Sequence, residues 1–391
     1  MSQTSTYAQR YLPLFHSYQA EYLRHLETLV NIDSGTGQVG GIEEVVGYLK
    51  YWLAELGFTA TLHPVDHYGP NLVAHRQGKG TKRVLLLGHV DTVYNTGAAQ
   101  SHPLTLQDGR AYGPGVLDMK SGVLLGVYAA RALIEAGFED YGELIMLWNC
   151  DEEVGSPGSE LLVLELAQQA DVGLVLEPGR SLNQVTVARK GADKYILSVT
   201  GVAAHSGVEP HKGRSAVLEL AHKILAIQNL HALFPNVTFN VTRLNSTERL
   251  NIVPDHASCW ITVRAFSKEM LAAARLALEQ IVLNCSVPDT RASLELNPGR
   301  RPYETNAEIR QMFSLACEEG EAVGLHLEGI TQGGVSDANG LMEAGLPTLD
   351  GLGPVGGGEH NLDLEHVLLD AIPLRGAVLA GLMQRICHER E

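Results

Sequence analysis

Apolar positions along the chain alternate between two periods. Residues 17–31 and 41–56 repeat Leu, Val, Tyr and Trp at helical spacing, and Gly57 closes the second stretch. The run VLLLGHV at 84–90 is apolar throughout, the pattern of a strand buried on both faces. Helical spacing returns in SGVLLGVYAARALIEAG at 121–137, which stops on Gly137. ELIMLWNC (143–150) and VGLVLE (172–177) are two more buried-strand runs, with a helix at 158–169 between them. This strand–helix rhythm predicts a mostly parallel sheet covered by helices.

The pattern changes near residue 190. KYILSVTG (194–201) alternates apolar and polar, as a half-solvated strand does. A helix at about 213–231, strands at 237–245 and 257–266, a helix at about 268–284 and a strand at 292–297 follow. The order β-α-β-β-α-β is that of a ferredoxin-like unit. The first rhythm then resumes, with a helix at 306–323, the strand PTLDGLGP and a closing helix at 364–388. The predicted fold class is α/β: a mixed, mostly parallel sheet with helices on both faces, interrupted by an inserted ferredoxin-like α+β domain. The expected boundaries are 1–188 and 300–391 for the two catalytic segments and 189–299 for the insertion. Three consecutive domains are the alternative; the insertion is preferred because chemically loaded residues fall on both sides of it.

Charge narrows the partners. Lys and Arg number 29 against 45 Asp and Glu, a net charge of -16. So acidic a chain is a poor match for nucleic acid or an anionic membrane. No apolar run reaches the roughly 18 residues of a membrane span. The N-terminal stretch lacks a basic segment followed by an apolar one, so no export signal is expected and the reading is cytoplasmic. Cys150, Cys259, Cys285, Cys317 and Cys387 are widely spaced, form no CxxC pair, and read as reduced thiols.

Ionisable residues gather where the strands end. GHVDTV delivers His89 and Asp91 just past one buried strand, DEEVGS delivers Asp151, Glu152 and Glu153 past a second, and Glu177 closes a third. Ligands of an open parallel sheet bind outside the carboxyl ends of its strands. Asp118, in GPGVLDMKSG before a helix, and His360, in GPVGGGEHN after the last apolar strand, add to the set. So many carboxylates together repel unless cations neutralise them. His and carboxylate ligands without Cys suit zinc, with manganese or cobalt as alternatives. Two such metals sharing a carboxylate and a water form a recurring hydrolytic site.

GHVDTV, GPGVLDMKSG, DEEVGS, LEP, GVAAHSGVEP, NIVPD and GGVSDANG follow one another in this order. In that order, from about 20 to 388, the chain resembles the co-catalytic zinc peptidases. That family includes acetylornithine deacetylase, succinyl-diaminopimelate desuccinylase, aminoacylase and the bacterial folate-cleaving glutamate carboxypeptidase. GHVDTVY and DYGELIMLWNCDEEVGSPGSELL are most similar to the glutamate carboxypeptidase branch. The resemblance implies two zinc ions per subunit. His89 and His360 would each bind one, Asp118 would bridge them, and Glu153 and Glu177 would complete the ligands, one per metal. It implies Glu152 as general base, Asp91 as the carboxylate orienting His89, and a cis Asp118–Met119 peptide. In the insertion it implies that His205 reaches the partner subunit's active site, and that Lys190, Asn251 and Arg264 bind the substrate carboxylate or carbonyl. The loop 332–337, with Gly334, would line the pocket. The expected activity is hydrolysis of an amide or peptide bond next to a free carboxylate, in an N-acyl or peptidyl amino acid, by a homodimer. An N-acyl-amino-acid deacylase is the alternative. Glu359, beside His360 in GGGEHN, departs from the relatives' pattern.

Overall fold

The structure, a computed structural model, describes residues 6–389. The reading of residues 1–5 as part of a chain start without an export signal lies outside it, as do residues 390 and 391 of the second catalytic segment. The chain divides into two units. One comprises Met1–Val187, Thr305–Thr331 and Ser336–Glu391, the other Ala188–Glu304 with Gln332–Val335.

The first unit opens with α1 (Ala8–Val30) and α2 (Val39–Glu55), then β1 (Thr59–Val65), β2 (Gly69–Gln77) and β3 (Arg83–His89). It continues with α3 (Ser121–Glu135), β4 (Glu143–Asn149), α4 (Glu160–Gln169) and β5 (Val172–Val175). The second unit contributes β6 (Gly191–Thr200), α5 (Ala216–Leu233), β7 (Thr238–Ser246), β8 (His256–Ala265), α6 (Lys268–Leu283) and β9 (Arg291–Asn297). The first unit then closes with α7 (Ala307–Glu321), α8 (Asp337–Glu343), β10 (Thr348–Leu349) and α9 (Ala371–His388).

The sheet of the first unit has six strands in the order β1-β2-β4-β3-β5-β10. Its three inner-to-far pairings, β4–β3, β3–β5 and β5–β10, are parallel, and the β1–β2–β4 edge is antiparallel. His89 stands opposite Asn149, and Leu87 opposite both Leu147 and Val175, so β3, β4 and β5 end side by side. That shared edge is where the chemically loaded residues emerge.

Three elements differ from the sequence expectation. The β1–β2 hairpin had no predicted counterpart; β1 is largely exposed on both faces and so carries no apolar alternation to read. α1 starts at Ala8, not 17: its first turns bury Ala8, Tyr11 and Phe15 on one face even though Pro13 interrupts the sequence there. The Phe15 ring packs so closely on α9 that a Cβ at Gly376 would lie 2.1 Å from it. α9 itself starts at Ala371, not 364, because His366–Leu368 first pairs as a short strand with Arg110–Tyr112.

The inserted unit is a four-stranded antiparallel sheet, β7-β8-β6-β9, with α5 and α6 on one face. Ala257, Cys259, Ile261, Val263 and Ala265 of β8 alternate into its core, as period-two patterning requires. Ser215 and Ser267 cap the two helices through 3.1 Å bonds to Leu218 and Met270 N–H. Among the described residues no helix is long and apolar enough to cross a membrane.

Candidate metal centre

His89 ends β3 and is 1% exposed. Its Nδ1 bonds the main-chain carbonyl of Asp91 at 2.9 Å, which directs Nε2 to Asp118 Oδ1 at 3.1 Å and Glu177 Oε1 at 3.8 Å. The second oxygen of Asp118 faces His360 Nε2 at 3.2 Å, and that imidazole also lies 3.4 Å from Glu153 Oε2. One carboxylate is thus divided between two histidines that come from sequence positions 89 and 360. Ligand atoms of His89, Glu152 and Glu177 all lie within 4.8 Å of one another, as do those of His89, Asp118 and Glu153.

Local structure explains each placement. Glu152 and Glu153 sit on the one-turn 3-10 helix Glu152–Val154 that follows β4. Asp151 turns away from them to take the Gly158 N–H at 2.6 Å and the Ser159 hydroxyl. Asp118 lies where a distorted turn, Val116–Lys120, meets α3, and its peptide to Met119 is cis. His360 adopts a left-handed backbone (φ 61°) in its glycine-rich loop.

Asp91 is fully buried and does more than face His89. Its nearer carboxylate oxygen is 3.4 Å from Nδ1, while the carboxylate takes the N–H groups of Glu152 (3.1 Å) and Glu153 (3.2 Å) and the Thr36 hydroxyl (2.7 Å). Asp91 thus meets the His89 imidazole through both its carbonyl and its carboxylate, and the same carboxylate also holds the acidic turn, a contact the sequence reading did not include.

Burial pushes the Glu153 carboxyl up to about 7, with His89 opposing and the Asp118 charge reinforcing the shift. Asp118 is held well below the usual carboxylate range; burial opposes this, and the bonds from His360 and His89 prevail. Hydrogen bonding to Asp118 lifts His360 to about 9 against burial. His89 lies well above its ordinary value: burial opposes, and Asp118 and Asp91 outweigh it. Glu153 Oε1 is buried and has no hydrogen-bond partner among the described residues. A buried carboxylate oxygen left so is costly unless a cation meets it. The donor set of imidazoles and carboxylates around a shared Asp therefore fits divalent metal.

The remaining predicted residues belong to the inserted unit and form two groups. Lys190 and Arg264 lie beside the Gln332–Val335 segment: Lys190 N–H bonds the Gln332 carbonyl at 3.0 Å, and Arg264 Nη1 bonds the Gly333 carbonyl at 3.2 Å. Gly334 is exposed, its carbonyl 3.3 Å from Arg189 Nη1. Burial and the Arg264 charge lower the Lys190 pKa. His205 and Asn251 form the second group. Both are exposed: His205 ends a short strand and pairs with Ile252, and Asn251, in the turn just before Ile252, accepts the Ser206 N–H on its carbonyl at 3.0 Å. Sequence reasoning missed Thr36 and Tyr94, whose hydroxyls donate to the Asp91 and Glu365 carboxylates, and Glu365, which accepts main-chain N–H groups of the turn carrying Asp118. Only Tyr94 carried a signal, as the last residue of GHVDTVY.

A mixed α/β sheet with a His and carboxylate cluster at its strand ends, interrupted by a ferredoxin-like unit, is the architecture of a metallohydrolase. Residues 85–385 match the peptidase family M20/M25/M40, and the chain belongs to that family. It is 32% identical over 370 residues to carboxypeptidase G2 of Pseudomonas sp. (strain RS-16), covering 93% of this chain and 89% of that one. It is 26% identical over 383 residues to succinyl-diaminopimelate desuccinylase of Thioalkalivibrio sulfidiphilus (strain HL-EbGR7), covering 93% and 98%. The fold is shared with aminopeptidase PepT of Bacillus cereus ATCC 10987 (TM-score 0.80, 23% identity, 94% and 98% covered). The chain is accordingly a metal-dependent hydrolase, a metallopeptidase or amidohydrolase.

Proposed function

We propose that this hydrolase cleaves an amide or peptide bond next to a free carboxylate, in the manner of a glutamate carboxypeptidase. The carrying observation is the division of Asp118 between His89 (3.1 Å) and His360 (3.2 Å), the arrangement a pair of bridged metals requires. His89, Glu177 and Asp118 would hold one ion, and His360, Glu153 and Asp118 the other. Zinc suits the donors best, with cobalt or manganese as substitutes. Such ions supply Lewis acidity at the scissile carbonyl and acidify the attacking water.

The protein's own groups do the rest. Glu152 takes a proton from the water and returns it to the departing amine. Asp91, through the Glu152 and Glu153 N–H groups, keeps that base and its neighbouring ligand fixed. Lys190 and Arg264 are mutually repelling cations, and a substrate carboxylate between them would relieve that repulsion; Arg264 can bind it through two parallel N–H bonds. Asn251 binds the substrate carbonyl or carboxylate, and Gly334 lines the pocket. His205, supplied by a partner subunit, would donate to the oxyanion.

A homodimer through the inserted unit is supported by its surface. Val217, Leu220, Ile224 and Leu244 (62% exposed) line an apolar groove of about 190 Å³ between α5 and the sheet edge β7, and Leu218 (51%) and Leu225 (64%) are exposed on the same helix. Five free cysteines fit a reducing cytoplasm.

The test is hydrolysis of N-acyl and peptidyl amino acids by chelated enzyme before and after zinc is restored, with acyl group and C-terminal residue varied separately. Zinc-dependent cleavage with a preference for C-terminal glutamate is expected. Selection of one acyl group with indifference to the C-terminal residue would replace this reading by the deacylase one, which the desuccinylase similarity favours.

A further inference from the structure

Glu365 is 1% exposed and belongs to none of the ligand-bearing motifs. Its Oε1 accepts the N–H groups of Leu117 (2.9 Å) and Asp118 (3.0 Å), and its Oε2 accepts the Gly115 N–H (3.2 Å) and the Tyr94 hydroxyl (2.5 Å). One carboxylate thus satisfies four donors from two other segments of the chain. The segments of Tyr94 and of Glu365 itself are anchored elsewhere. The Tyr94 carbonyl takes the Gln38 side-chain amide at 3.0 Å, and Glu365 adjoins the short strand His366–Leu368 that pairs with Arg110–Tyr112.

The consequence falls on Asp118. Its side chain stands 3.1 Å from one histidine and 3.2 Å from the other, and such balance needs a fixed backbone beneath it. The turn that carries it, Val116–Lys120, is not regular helix, so helical hydrogen bonding does not supply that fixity. Glu365 does, through the N–H groups of Asp118 itself, Leu117 and Gly115. A carboxylate is the group the place requires: it is acceptor on both oxygens, whereas an amide would turn an NH₂ toward N–H or O–H donors.

We infer that Glu365, braced by Tyr94, is the positioning residue that sets the bridging carboxylate Asp118 between the two metal subsites, and so governs binding of the second cation. This rests on the two-metal reading above. Outer groups of this kind typically change metal affinity about 10- to 100-fold.

The experiment is titration of metal-free enzyme with cobalt, followed by calorimetry and by the visible spectrum of the bound ion. Wild type is expected to take two equivalents. Glu365→Gln is expected to bind the second equivalent about 10- to 100-fold more weakly, with an altered cobalt spectrum. Tyr94→Phe, which removes one donor of four, is expected to show the same change at a few-fold. A folded Glu365→Gln protein with wild-type affinity and spectrum overturns the inference. If Glu365→Gln does not fold, Tyr94→Phe decides, and wild-type behaviour there overturns it equally. Failure of wild type to take a second cobalt would instead overturn the two-metal reading.

Discussion

Glu152 and Glu153 are neighbours with different duties, and their turn makes that possible. On a 3-10 turn successive side chains diverge by about 120°, so one carboxylate can meet His360 while the next is left for substrate water. Glu152→Gln should retain both metals, by metal analysis, and lower kcat about 10²- to 10⁴-fold. Retained turnover would remove the general-base role; loss of a metal equivalent would make Glu152 a ligand, which its proximity to His89 and Glu177 allows. At this scale the sequence was legible where a side chain itself does the work. His89, Glu153, Glu177 and His360 each follow an apolar run or a glycine-rich stretch, and the structure brings them to one cluster around Asp118. Thr36 and Glu365 were not legible, and Tyr94 only as the end of GHVDTVY, because they act on N–H groups or on another carboxylate, and no spacing of residue types reports where those lie.

Among the elements, the parallel strands were readable because burial on both faces makes them apolar throughout. The exposed β1 and the short pairing strand 366–368 were not, since solvent on their faces erases the pattern. The readable strands are also braced by polar contacts at the end opposite the metal centre. Asp171, just before β5, takes the Arg83 N–H at 2.8 Å and Nη2 at 2.8 Å, clamping the start of β3 to the start of β5. Burial opposes ionisation of this carboxyl, but the Arg83 bonds prevail and its pKa is lowered. A carboxyl depressed on folding contributes stability that is complete above its unfolded pKa, about 4, and is lost as pH falls through the depressed value. Asp171→Asn should therefore cost about 1 kcal/mol at neutral pH, the upper end for a partly exposed pair. Urea unfolding should show wild type and variant converging as pH falls below the ordinary carboxylate range and through the depressed Asp171 value. Equal stability at neutral pH would remove the clamp.

For the whole molecule, the decisive question is whether one chain holds a complete site. His205 and Glu152 fall in different units of the chain, and the proposed dimer would use the former in trans. Glu152→Ala and His205→Ala proteins should each be inactive. Random exchange of their subunits makes half the dimers mixed, each with one intact site, so about a quarter of wild-type activity should return. A His205 that acts within its own chain gives no recovery, because every site then lacks either the base or the oxyanion donor. The exposed face of α5 and β7 supplies the control. Leu225→Glu introduces a charge into an apolar patch that a second copy would bury, and should yield monomers by analytical ultracentrifugation. Carried on both complementing partners, the same substitution should abolish the recovery while leaving each subunit folded. Recovery that persists in monomers would separate the activity from the dimer altogether.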